Sequence, residues 1–504
     1  MKKLLAIFPL LALLGAAACV STPDADELRD IRAASAADRV AALESRTPFE
    51  GRADFLEGPL SLADALSRAL AMNLTLRQET LERDIAAGRI QASWQNALPR
   101  LSASAAYTRL DDDLSTVASD GTVTRGRFLD QSSASLTLTQ PLFSARLGAA
   151  VRAARLYREW AEASIRGAEE TVRYNVVRAY YQARLSAHLL EVKEKALETA
   201  TRQSTETSAR RRQGMASHYD TLRATVEVSN CKAQVLQARE SLDLANTTLF
   251  RLIGASPDSR VDLVDPLPFV PETISFDDAV RAALANRADL AVADLAARMQ
   301  RESVANARAD YYPDLSVYAK TTLASPDPHD SRSDDWGDEW QAGLQASWTL
   351  FDGLARRGAL AQERAKLAQL ELALQDAEEA VVSEIRQLVL NLATAEEFAL
   401  SQSQNLETAQ EALRLVEVGL REGQNTQVEV MDARQALTTA SANYYQSIYD
   451  HAMARLSLLR AMGSLRDAPD PAQPILSSLS SLSSLSSLPS QESPESQESQ
   501  EPLP

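Results

Sequence analysis

The chain has 504 residues, a formal charge of −17, 45% hydrophobic residues but only 5% aromatic, and 17 glycines. That acidity argues against a nucleic-acid partner. A middle region rich in Ala, Leu, Gln, Glu and Arg is the composition of long helices and coiled coils, not of a compact aromatic core.

At the N-terminus Lys2 and Lys3 precede an apolar run from Leu4 to Leu14, followed by Gly15-Ala16-Ala17-Ala18-Cys19. The run is too short for a permanent bilayer span and reads as a signal peptide over residues 1–18. Small residues directly before Cys19 resemble a lipobox, which would make Cys19 a lipidated N-terminus. Ala16 stands where that pattern prefers Leu, and Ala16-Ala17-Ala18 also fits ordinary cleavage. Val20 after the cysteine is compatible with sorting to the outer membrane. With Cys19 lipidated, Cys231 has no disulfide partner in the chain; it reads as a small packing residue on a helix. No later stretch approaches 18 consecutive apolar residues, so entry into a membrane would require β-strands.

Residues 19–59 read as a linker, and beyond them the halves of the chain match, at 60–270 and 271–465. Leu60-Ser-Leu-Ala-Asp-Ala-Leu66 returns as Ile274-Ser-Phe-Asp-Asp-Ala-Val280, and Leu98-Pro99 as Tyr312-Pro313. Leu142-Phe143 returns as Leu350-Phe351, Gly214 as Gly423 and Gly254 as Gly463. An ordered set of landmarks at near-constant spacing marks an internal repeat. Each half reads as helix, strand, strand, long helix, turn, helix.

The first helix is expected over 62–97 and its counterpart over 277–311, each stopped by a proline, Pro99 or Pro313. Two strands follow in each half. Trp340, Ala342, Leu344, Ala346, Trp348 and Leu350 alternate with small or polar residues, a period of two with tryptophans near both ends. That is the pattern of a membrane-crossing strand with an aromatic belt at Trp340 and Trp348; an amphipathic sheet facing water on one side is the plainer reading. Acidic loops join the strands, with Asp111–Asp113 and Asp120 in the first and Asp327, Asp330, Asp334, Asp335 and Asp338 in the second.

The long helices carry the clearest signal. From Leu367 to Leu420 apolar residues recur in steps of three and four, the coiled-coil period. No proline interrupts 354–421, and the first half matches over 145–212. At 1.5 Å per residue each rod would be roughly 100 Å long. Four strands cannot close a barrel alone, so several copies are expected, and three would supply twelve strands. From 466 to 504 the chain is Pro-, Ser- and Gln/Glu-rich and reads as a disordered tail.

In these features the chain resembles the TolC-type outer-membrane factors and, through Cys19, their lipoprotein branch. The Leu-Phe pairs resemble the family's strand-to-helix junction. Gly214, Asp220 and Ala224, then Gly423, Glu429 and Ala433, are similar to its periplasmic tips, and Val430-Met431-Asp432-Ala433 resembles its Val-Leu-Asp-Ala. The resemblance implies a mainly α fold with a small β part. Each protomer would hold long coiled-coil helices and four transmembrane strands, and three would form a 12-stranded β-barrel continuous with an α-helical barrel. It implies an outer-membrane channel subunit of a tripartite efflux or type I secretion system, a passive exit duct with no enzymatic activity and no cofactor. Its partners would be its own copies in a homotrimer, a periplasmic adaptor, an inner-membrane transporter and outer-membrane lipid. Arg211, Arg212, Gly214, Ser217, Asp220, Gly423 and Thr426 would form adaptor-docking tips, and Glu429 and Asp432 a periplasmic aperture. Ordinary helix capping accounts for the glycines and much of the acidic pair. The four histidines, His188, His218, His329 and His451, lack metal-ligand spacing. The alternative from another class is a soluble periplasmic coiled-coil adaptor or scaffold protein.

Overall fold

The computed structural model describes residues 55–466 apart from 111–114, 118, 121–122, 126–128, 273 and 330–334. The signal peptide, Cys19, the tail beyond Arg466 and the loop residues Asp111–Asp113, Asp330 and Asp334 lie outside the described residues.

The chain opens with strand β1 (Glu57–Leu60) and helices α1 (Leu62–Met72), α2 (Leu74–Thr80) and α3 (Glu82–Ser93). Strands β2 (Arg100–Arg109), β3 (Ser115–Val117), β4 (Val123–Arg125) and β5 (Asp130–Phe143) follow. Then come the 67-residue helix α4 (Arg146–Arg212) and α5 (His218–Ile253). The second half runs β6 (Arg260–Leu263), α6 (Phe276–Asn286), α7 (Ala288–Ala309), β7 (Asp314–Ser325) and β8 (Gly337–Ser347). It ends with another 67-residue helix, α8 (Ala355–Arg421), and α9 (Gln427–Ala461). Uninterrupted by proline, α4 and α8 are rods of roughly 100 Å.

The helices expected over 62–97 and 277–311 are each broken. Asn73 takes an extended ψ of 123° and its side chain accepts the N–H groups of Thr75 and Leu76, so it ends α1 and caps α2. Arg287 breaks the second helix at the matching place with ψ 124°. Its guanidinium, bonded to Asp289 and Glu384, holds the bend.

The core sits in the middle third of the long rods. Ile165 and Tyr180 of α4, Leu249 of α5, Ile385 of α8 and Leu456 of α9 are at most 1% exposed. The Tyr180 hydroxyl donates to the Leu60 carbonyl at 3.0 Å and accepts the Asp265 N–H at 3.1 Å, so its polar end is satisfied inside the core. Asp265 in turn accepts the Leu62 N–H at 2.6 Å. β1 and β6 pair in parallel alongside, with Leu60 opposite Leu263. Cys231 is buried on α5 and free.

The β part corrects the sequence reading. β2, β5, β7 and β8 form one open antiparallel sheet in the order β2-β5-β7-β8, with Leu138 opposite Ala319 and Val317 opposite Leu344. β2 and β8 lie at opposite edges and the sheet does not close, so among the described residues the expected transmembrane strands and 12-stranded barrel are not found. Period-two alternation is a property of any antiparallel sheet with unlike faces and does not by itself place a strand in lipid. β2 has no sheltered face at all, every residue from Arg100 to Arg109 being exposed. The outer-membrane exit duct and the outer-membrane location depended on that barrel and are corrected with it. Among the described residues no helix is long and apolar enough to cross a membrane.

Candidate functional site

The residues singled out at the helical turns fall at the tips of two antiparallel hairpins, α4–α5 and α8–α9. Both turns are built alike. Gly214 and Gly423 take left-handed φ values of 78° and 75°, which a β-carbon would disfavour, and so reverse the chain. Behind Gly214 the Met215 N–H returns to the Arg210 carbonyl at 2.8 Å; behind Gly423 the Gln424 N–H returns to Gly419 at 2.8 Å.

Each outgoing helix then starts with a capping box. The Ser217 hydroxyl accepts the Asp220 N–H at 3.1 Å, and the Asp220 carboxylate accepts the Ser217 N–H at 3.0 Å. These bonds to Ser217, from its hydroxyl first and its N–H second, hold the Asp220 carboxyl below the usual carboxylate range. Thr426 and Glu429 repeat the arrangement at the second tip. Glu429 is thus engaged in closing its own helix. Asp432, one turn on, is exposed.

Behind the tips the two hairpins enclose a cavity of about 640 Å³, lined in part by Lys195, Arg223, Cys231, Glu417, Asp432 and Arg434. Arg434 of α9 spans it, donating to Gln203 of α4 at 3.1 Å and to Glu417 of α8 at 2.8 Å. This cross-tie carries no sequence motif; the period of the helices alone would put Arg434 toward the interior. The Cys231 thiol lies 3.6 Å from the Glu227 carboxylate, and burial pushes its pKa up.

The other singled-out residues lie far from the tips. Trp340 in β8 is 77% exposed, and the Trp348 indole, just past the strand, donates to the Tyr311 carbonyl at 3.1 Å, tying the strand exit to the end of α7. His188 stacks on Tyr445 at 4.5 Å between α4 and α9, whereas His451 is fully buried in the core. Among the described residues no group of side chains could hold a metal ion.

Sequence comparison matches the family described as outer membrane efflux protein to residues 65–255 and 279–464. The alkaline protease secretion protein AprF of Pseudomonas aeruginosa is 24% identical over 380 residues, 74% of this chain and 78% of that protein. The outer membrane protein TolC of Escherichia coli is 22% identical over 420 residues, 81% of this chain and 83% of that one. Among solved structures, the outer membrane protein VceC of Vibrio cholerae superposes with a TM-score of 0.65 at 20% identity, over 80% of this chain and 96% of that chain. At that identity the structural likeness speaks for the fold.

Proposed function

Because this chain belongs to the outer membrane efflux protein family, a family without catalytic activity, we propose that it is a periplasmic coiled-coil scaffold of a tripartite efflux or secretion system. The observation that carries this reading is the pair of hairpins on 67-residue rods, capped and closed at their tips. A rod of roughly 100 Å reaches far beyond the core that anchors it. In this reading the tips, with Arg211, Arg212, Gly214, Ser217 and Asp220 on one and Gly423 and Thr426 on the other, meet a periplasmic adaptor and through it an inner-membrane transporter. The name of AprF, a protease secretion protein, supports secretion as one use of such an assembly.

We propose further that the chain self-associates as a homotrimer. Leu236 and Leu244 on α5 and Leu372 and Leu390 on α8 are each more than 60% exposed, the kind of surface that helices of neighbouring copies cover. Residues 60–270 and 271–465 then act as two copies of one structural unit within each subunit.

Cell fractionation with adaptor co-purification tests the proposal. Recovery in the periplasmic fraction, bound to the adaptor through the tips, is the expected result. Recovery as a heat-modifiable trimer embedded in outer membranes would overturn it.

A further inference from the structure

The repeat gives the chain two versions of one joint, and they are held differently. In the first half Gly58 lies in β1 and pairs in register with Val261 of β6. Its counterpart, by the spacing that matches Leu60 to Ile274, is Glu272, at the far end of the Pro-rich connection between β6 and α6. There the Glu272 N–H donates to the Glu396 carboxylate of α8 at 3.4 Å, and the Glu272 carboxylate pairs with Arg455 of α9 at 3.5 Å. The other end of the connection is fixed to α4. The Tyr180 hydroxyl accepts the Asp265 N–H at 3.1 Å, and Arg184 donates to the Asp265 carbonyl at 3.1 Å. Residues 265–272 thus cross from the rod of the first half to the helices of the second.

Midway along this crossing Phe269 lies against the fully buried His451, with ring centres 4.8 Å apart. Among the described residues neither imidazole nitrogen has a hydrogen-bond partner. The charged groups acting on the ring are Glu396 of α8 and Arg455, one turn on in α9. On α4, Arg184 is turned to the Asp265 carbonyl and His188 is stacked on Tyr445. At 209 positions earlier, His451, Arg455 and Glu396 correspond to Leu242, Asn246 and Ala187. The first joint therefore carries no ionisable side chain at any of these places. A buried ion pair seldom stabilises more than the apolar packing that can replace it, so stability gives no reason for the charges of the second joint.

We propose that residues 265–272 are a strap between the two halves, latched at neutral pH and released in mild acid through His451. A charged imidazole cannot remain against Phe269 in the core without a partner or water. Glu396 is the carboxylate that acts on the ring, and it is also the group that holds the Glu272 N–H. On taking up a proton, His451 draws Glu396 to itself and the strap loses that bond. The new charge also stands beside Arg455, which weakens the hold on the Glu272 carboxylate. Phe269 then lifts as water reaches the ring. The strap stands independently of the scaffold reading and of the helical tips.

Hydrogen exchange of the full chain, measured by mass spectrometry from pH 7.5 to pH 5.5 and divided by the rate of an unstructured peptide at each pH, tests this. The open form takes its proton near pH 6.5, so one proton can raise its population about tenfold over that range. The expected result is a loss of protection approaching tenfold over 265–272, with 165–180 of α4 unchanged. His451→Leu, which restores the residue of the first joint, should abolish the loss. Glu396→Gln can still accept the Glu272 N–H but offers the imidazolium no charge, so it should displace the loss to lower pH. Should His451→Leu fail to accumulate, Glu396→Gln decides alone, and an unmoved midpoint overturns the proposal. Protection over 265–272 that ignores pH, the same loss in His451→Leu, or a loss shared by 165–180 also overturns it.

Discussion

The Glu429 carboxylate accepts the Thr426 N–H at 2.7 Å, and the Thr426 hydroxyl accepts the Glu429 N–H at 3.3 Å in return. Two groups that a helix start leaves without partners are satisfied by one pair of residues. Loss of the hydroxyl in Thr426→Ala should therefore cost about 1 kcal/mol, felt locally at the tip. Hydrogen exchange should accelerate over 422–432 while the melting temperature barely moves. Glu429→Gln should be milder, since an amide oxygen can still accept. Unchanged exchange in Thr426→Ala would show that the tip is held by other contacts.

Arg455 and Glu272 form an ion pair at 3.5 Å with both side chains 4% exposed. Removal of one partner deprives a buried charge of its ion pair, which costs far more than breaking a surface pair. Arg455→Met should lower stability by about 3–5 kcal/mol in a denaturant titration. Arg455→Met combined with Glu272→Leu should recover a large part of that loss. A surface pair such as Arg414 and Glu411, exposed at 62% and 55%, should show almost no change when broken. Similar losses for the two pairs would mean that burial is not what sets the cost.

The rods were legible because their signal is long. An apolar period of 3.5 sustained over many turns, with no proline, gave bounds at 354–421 against Ala355–Arg421 in the structure. Short breaks were not legible, because Asn73 and Arg287 interrupt their helices through backbone torsion and local hydrogen bonds that a periodic pattern averages over. The tip glycines were legible because reversal between helices needs positive φ. The sheet was misread for a physical reason: the alternation around Trp340 and Trp348 reports unlike faces and carries no information on closure. The Arg434–Glu417–Gln203 tie joins residues from three helices, and only the packed hairpins bring them together.

Gly463 ends α9 with φ 66°, and a β-carbon there would come within 2.8 Å of the Asn286 backbone carbon. Both the left-handed conformation and the close approach of two backbones require the absence of a side chain. Gly463→Ala should destabilise by more than about 1 kcal/mol from the conformation alone, with the backbone clash added. The reading is a drop in melting temperature together with faster exchange around 283–290. Gly358→Ala, in a helix with open space around it, should be neutral or slightly stabilising. If the two substitutions behaved alike, the contact with Asn286 would carry no weight.

His451 is fully buried beside Phe269, its ring 4.8 Å away, and among the described residues neither ring nitrogen has a hydrogen-bond partner. Burial pushes its pKa below the ordinary histidine value, opposed by the nearby Glu396 carboxylate and reinforced by Arg455. An unfolded histidine takes its proton near pH 6.5, whereas the folded one resists it to lower pH. Between those two values the unfolded chain binds more protons, so stability is complete above about pH 6.5 and is lost as pH falls through the folded pKa. His188 is shifted in the same direction, by burial first and by Arg184 second, and adds to the slope. Melting temperatures from pH 7.5 to pH 5 should fall less steeply for His451→Gln than for the unaltered chain, with the curves converging at the acid end. Parallel curves over that range would mean that the His451 proton is accommodated in the folded core at no cost.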